Sequence, residues 1–234
     1  MTRRGKVRFC MISLILEALF TVFFYFSLND IQGIVASVKG LDHITCISEG
    51  ISESDLAHFQ KSLDLVEDNV IQSYLRHNNS LFLLNEEEYL DRWNFDYQNG
   101  IADLKGYGVN SYGGYFGLYE TKTSWRKNDY VGTIVIRNGF IDDSVVHEFG
   151  HYIDYVVVKD ASKGLIVDRG AISNSEEFLK IFYEERYSSY LGEYYTNDPK
   201  EFFAESYRQM KINENYKTYC PKTCEFIEKC ISKV

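Results

Sequence analysis

The sequence predicts an α+β domain, a small sheet followed by a helical C-terminal half. Two short runs, Leu81-Phe82-Leu83-Leu84 and Gly132-Thr133-Ile134-Val135-Ile136-Arg137, are apolar or β-branched and read as strands. Around them lie stretches with apolar residues at steps of three and four, the period of a helix packed by one face. Downstream of Arg137 the cues are helix starts: Asp142, Asp143 or Ser144 at one, and Asn197-Asp198-Pro199 at another.

The chain opens with four bases, Arg3, Arg4, Lys6 and Arg8, followed by Phe9 to Leu28, apolar except for Ser13, Glu17, Thr21 and Ser27. That run is about the length of a membrane span and longer than a typical signal core of roughly 7–15 residues. The basic flank keeps the N-terminus inside and sends the rest across. Val35-Ala36-Ser37 offers small residues for cleavage. Residues 1–37 are therefore expected to be an export signal or a membrane anchor, and the body to be secreted or held at the outer face of the cytoplasmic membrane. The remaining roughly 200 residues suffice for one full core, and no repeat or proline-rich linker divides them.

The formal charge is −9, and without the four bases and Glu17 of residues 1–28 the remainder carries −12. Such an acidic body argues against nucleic acid as a partner. Cys10 lies in the leader, leaving Cys46, Cys220, Cys224 and Cys230. An even number in an exported domain favours two disulfides, and the Cys-x3-Cys-x5-Cys spacing lacks the CxxC of a structural zinc site. Residues 38–219 are taken as the domain and 220–234 as a cysteine-bearing tail.

Ser52 to His77 reads as one long helix on Leu56, Phe59, Leu63, Val66, Val70 and Tyr74, with Ser52 or Ser54 as cap. Glu86-Glu87-Glu88, after the first strand, reads as the solvated start of a helix. Gly113-Gly114-Tyr115-Phe116-Gly117-Leu118-Tyr119-Glu120 is a candidate sheet edge able to pair with an extended peptide, or a plain hairpin. Asn138-Gly139 marks a turn after the second strand.

The next helix carries His147-Glu148-Phe149-Gly150-His151 and is expected to run to about Val158. At 3.6 residues per turn, positions i and i+4 share one face, so both imidazoles can bind one zinc ion while Glu148 holds a water. The other histidines, His43, His58 and His77, all precede the motif, so the third ligand is expected to be a later carboxylate. Glu176, Glu177, Glu184, Glu185, Glu193, Glu201 and Glu205 compete; Asp154, on the motif helix itself, is discounted. Glu201 stands out in Tyr194-Tyr195-Thr196-Asn197-Asp198-Pro199-Lys200-Glu201-Phe202-Phe203-Ala204-Glu205. Asp198 as cap would make Glu201 a capping-box residue. Capping does not account for a second glutamate one turn on, beside two phenylalanines.

HEFGH followed by Tyr-x6-Glu-Phe-Phe-Ala-Glu resembles the catalytic domain of anthrax lethal factor and the related secreted Pro-Pro endopeptidases. The resemblance covers about Gly132 to Met210 and is specific at the two motifs. It implies a zincin-like domain, a small twisted mixed sheet packed on the HExxH helix. It places zinc on His147, His151 and Glu201, the general base on Glu148 and an oxyanion donor on Tyr194, with Tyr195 the alternative. Glu205 is expected to accept a hydrogen bond from a ligand imidazole. The implied activity is that of an exported zinc metalloendopeptidase acting as a monomer on a polypeptide. The portions of lethal factor that carry it into cells have no counterpart here. The alternative is an exported, inactive peptide-binding module of the same shape; decay usually removes the base or a ligand, and here all are present.

Overall fold

The computed structural model describes residues 45–77, 79–99, 113–124, 127–162 and 171–234. Residues 1–37, expected to be an export signal or membrane anchor, lie outside them with Cys10. Four strands, β1 (Thr45–Ile47), β2 (Ser80–Leu84), β3 (Gly114–Ser124) and β4 (Lys127–Arg137), form one sheet in the order β1-β2-β4-β3. The pairs β1/β2 and β2/β4 are parallel and β3/β4 antiparallel, so the sheet is mixed and β3 is an edge. The Gly113–Glu120 stretch thus supplies an edge strand that is also one arm of a hairpin.

Alternation along the strands sorts side chains to two faces. Leu81, Leu83, Ile134 and Ile136 join the main core, whereas Leu84, Tyr115 and Val135 pack with Tyr89 and Trp93 of a helix on the other face. That helix is α3 (Glu86–Gln98), started by Asn85, whose side chain accepts from the Glu88 amide. The triple-glutamate run is indeed its first turn. Asp96, fully buried, accepts hydrogen bonds from Tyr115 Oη at 2.6 Å and Arg92 Nε at 3.0 Å, which pins α3 to the edge strand.

The stretch read as one helix is two, α1 (Glu53–Leu63) and α2 (Asp68–Arg76). The break falls at Glu67, the residue that starts α2, whose carboxylate accepts from Tyr207 Oη at 2.6 Å and pairs with Lys211. A distant partner therefore overrides an unbroken helical period. The remaining helices are α4 (Ile141–Ser162), α5 (Glu176–Glu185), α6 (Glu193–Asn197), α7 (Pro199–Ile212), α8 (Tyr216–Tyr219) and α9 (Pro221–Ile231). Among the described residues no helix is long and apolar enough to cross a membrane.

Helix α9, set apart as a tail in the sequence, is part of the main core through Cys220, Cys224, Phe226, Ile227 and Cys230. Buried Glu185 caps it, accepting from the amides of Lys222 and Thr223 at 3.0 and 2.9 Å and from Thr223 Oγ1 at 2.8 Å. The expected disulfides are corrected: Cys46, Cys220, Cys224 and Cys230 are free. The three on and before α9 fill the core as small apolar side chains, a role burial favours for the protonated thiol. Burial pushes Cys220 up to about 11 and Cys224 and Cys230 up to about 12. Cys46 stands apart on β1.

Candidate metal centre

Helix α4 turns Val145, Val146, Phe149 and Ile153 into the core, which leaves His147 and His151 on a neighbouring face. Their rings lie 4.9 Å apart, nearly perpendicular at 84°. Helix α7 starts at Pro199, with Asp198 accepting from the Lys200 amide at 2.8 Å. Burial of Phe202, Phe203 and Tyr207 fixes its rotation and turns Glu201 and Glu205 towards α4. With Asp198 satisfying the helix start, the Glu201 carboxylate faces the imidazoles instead of the cap.

Glu201 Oε2 lies 3.3 Å from His147 Nε2 and 3.6 Å from His151 Nε2. Two donors held by one tetrahedral zinc at about 2.0–2.1 Å stand ~3.4 Å apart, so these separations fit a shared ion. Glu201 Oε2 is buried yet makes no well-directed hydrogen bond to any described residue. A buried anionic oxygen left this way is costly unless a cation faces it. The donor set, two imidazoles and a carboxylate, is the one zinc takes when a fourth position stays open. Among the described residues these three form the group able to hold a metal.

The surroundings of the ligands are equally specific. His147 Nδ1–H donates to Glu205 Oε2 at 3.2 Å, as expected for a carboxylate that orients an imidazole. Burial disfavours the charged ring, but the Glu201 and Glu205 carboxylates outweigh it and push His147 up to about 10; His151 is raised against the same burial by Glu201. Glu205 is depressed to about 2: burial opposes this, and the hydrogen bonds from His147 and Arg208 overcome it. Glu148 is raised by burial, with the imidazoles pulling the other way and the Phe116 backbone amide donating to its carboxylate.

That amide is available because of β3's register. Gly113 O accepts from Arg137 N at 2.8 Å, so residues 113, 115 and 117 bond to β4 and the groups of Phe116 face the open edge. Tyr195 stacks edge-on against His147, with centroids 5.9 Å apart, and Tyr194 packs on Tyr195 at 5.0 Å. Burial and then the charge of Glu205 push the Tyr195 hydroxyl up to about 12.

Four of the rival acids are engaged elsewhere. Glu185 caps α9, Glu184 pairs with Lys222 and Glu177 with Lys229. Asp154 accepts from the amide and hydroxyl of Ser173, both at 2.7 Å. Sequence patterns did not single out Arg208 and Gln209, which donate to Glu205, or the Phe116 amide at Glu148. Arg208 and Gln209, at i+3 and i+4 from Glu205, carried a spacing signal; a strand amide carries none.

The family model for anthrax toxin lethal factor, N- and C-terminal domain, matches residues 39–230. The Pro-Pro endopeptidase of Clostridioides difficile (strain 630) is 33% identical over 112 residues, 41% of this chain and 44% of its own. The chain thus matches less than half the length of that relative. The structure of the PRO-PRO endopeptidase PPEP-2 from Paenibacillus alvei superposes with a TM-score of 0.52 at 19% identity, over 81% of this chain and 98% of that one. That likeness is one of fold, and with the mixed sheet and the motif helix it makes the domain zincin-like.

Proposed function

The chain belongs to the anthrax lethal factor family, and from that premise we propose that it is an exported zinc-dependent metalloendopeptidase. The observation that carries the reading is the His147, His151 and Glu201 donor set, with separations that fit one tetrahedral ion. The name of the C. difficile relative adds a protease of the same family, and makes Pro-Pro bonds the first substrates to try. The basic head and apolar run of residues 1–28 argue for export.

Zinc bound to these three side chains would act as a Lewis acid and bring the pKa of a water towards neutrality. Glu148 accepts the proton of the attacking water and returns it to the leaving amine. Its burial suits the task, since a raised carboxyl pKa makes the carboxylate a stronger acceptor for the proton of the attacking water. The Phe116 amide holds the carboxylate in place. Tyr194 donates its hydroxyl proton to the developing oxyanion, while Tyr195, whose hydroxyl feels the charges of Glu205 and Arg208 most strongly, braces the His147 ring. The open edge of β3 beyond Phe116 offers backbone groups to an extended polypeptide.

Glu148→Gln tests the reading. The purified chain should bind about one zinc, and the variant should keep that zinc while losing hydrolysis of a peptide library read by mass spectrometry. A wild-type chain without zinc and without cleavage would leave the inactive peptide-binding module as the better account.

A further inference from the structure

We propose that Arg208 is a positioning residue of the metal centre, holding Glu205 in the one orientation that fixes His147. The inference rests on the zinc reading above. Arg208 Nε lies 3.0 Å from Glu205 Oε2 and 3.2 Å from Oε1, and Nη2 lies 2.9 Å from Oε1. Gln209 Nε2 donates to Oε1 at 2.8 Å. Oε1 is thereby filled, and Oε2 divides its lone pairs between Arg208 and His147 Nδ1. A turn of the carboxylate by even a few tens of degrees would break the fork. The fourth contact, Arg208 Nη1 to Asp143 Oδ1 at 3.4 Å, reaches the first turn of α4.

An Arg three residues after a Glu is ordinarily a solvated pair of little consequence. Here the side chains are 14% and 2% exposed, and the pair backs onto a ligand imidazole. The guanidinium matters as a fork: five donors in a plane set the direction of a carboxylate in a way that a point charge does not. A carboxylate so directed keeps the His147 proton on Nδ1 and leaves Nε2 free for metal.

The sign of the effect separates positioning from plain electrostatics. A cation near a zinc site repels the ion through space, so removing Arg208 for that reason alone would tighten zinc binding. Loss of positioning weakens it.

The test is zinc affinity of the full chain by chelator competition, alongside the melting temperature of the zinc-free form. It compares wild type, Arg208→Gln, Arg208→Lys, Glu205→Gln and the double variant Glu205→Gln/Arg208→Gln. Arg208→Gln is expected to lose about tenfold or more in affinity, and Arg208→Lys to lose affinity as well despite its charge. In the Glu205→Gln background the Arg208 change should alter affinity by less than about twofold, because its route to the metal is gone. Should Arg208→Gln fail to fold, the Lys variant in both backgrounds gives the same comparison. Binding as tight as wild type in Arg208→Gln, or in Arg208→Lys, overturns the proposal. So does an equal loss in both backgrounds, or a fall in melting temperature with affinity intact. A zinc-free wild type takes down this proposal and the zinc reading together; a zinc-loaded wild type with indifferent Arg208 variants takes down this one alone.

Discussion

A Cβ placed on Gly150 would stand 2.7 Å from the Cα of Ala204 and 2.9 Å from its carbonyl oxygen. The two motif helices, α4 and α7, therefore touch backbone to backbone, at the fourth residue of HEFGH and one residue before Glu205. Ligands from both helices converge because nothing larger than hydrogen separates them there. Gly150 is thus a requirement of approach, not of backbone freedom.

Gly150→Ala is expected to force the helices apart, since the obstructing atoms are main chain and cannot rotate away. Overpacking of this kind costs about 1–3 kcal/mol of stability. The further expectation is weakened zinc binding, because Glu201 and Glu205 move with α7. Chelator competition and urea unfolding of the variant check both. Zinc bound as tightly as in wild type would show that the crossing does not set the ligand geometry.

Glu201 is expected to act as a ligand and Asp198 as a cap, and two substitutions separate these roles. Glu201→Gln keeps a side-chain acceptor but loses the charge that zinc needs, so folding should persist while zinc affinity and activity collapse. Asp198→Ala should cost about 0.5–2 kcal/mol of stability with the metal retained. Equal zinc affinity in Glu201→Gln and wild type would remove Glu201 from the ligand set.

The parts of this site that were legible in the sequence are those set by local rules. The HExxH spacing fixes a shared helical face, and Asp198-Pro199 fixes where α7 starts, which puts Glu201 and Glu205 one turn apart. The strand Ser80–Leu84 and the second half of Lys127–Arg137, from Gly132, likewise follow from apolar and β-branched runs, whereas the polar first half of the latter was not legible. What was not legible depends on distant partners. The break between α1 and α2 is tied to Glu67 meeting Tyr207 and Lys211, 140 and 144 residues further along the chain. The free state of Cys220 and Cys224 follows from where α9 packs, and parity of cysteines carries no information about that. The Phe116 amide faces Glu148 because of strand register, which no residue identity encodes.

Tyr194→Phe is expected to lower kcat by about 10²–10³ with little change in zinc content, as loss of one oxyanion donor does. Tyr195→Phe removes a hydroxyl near Glu205 and Arg208 but keeps the ring that packs on His147, so its effect on kcat should be smaller. Steady-state kinetics on one cleaved peptide decides. A large loss in Tyr195→Phe beside a mild one in Tyr194→Phe would exchange the two roles.

Asp154 gives the protein a pH dependence that its surface carboxylates do not. It is fully buried on α4 and accepts hydrogen bonds from Ser173, from the amide at 2.7 Å and from the hydroxyl at 2.7 Å. Burial pushes its carboxyl from the ordinary 3.8 up to about 6, against the pull of those two hydrogen bonds. The folded state then holds the proton more tightly than the unfolded chain. The stability this contributes is fully present below about pH 4 and is lost as pH rises through about 6, after which the curve is level. Asp154→Asn still accepts the Ser173 amide but does not titrate. The stability difference between wild type and the variant should therefore shift against wild type by about 2–3 kcal/mol between pH 4 and pH 6.5. Urea unfolding at half-unit pH steps measures it, on zinc-free protein so that no dication near His151 depresses Asp154. Parallel stability curves for the two proteins across that window would mean that the buried carboxyl stays ionised throughout.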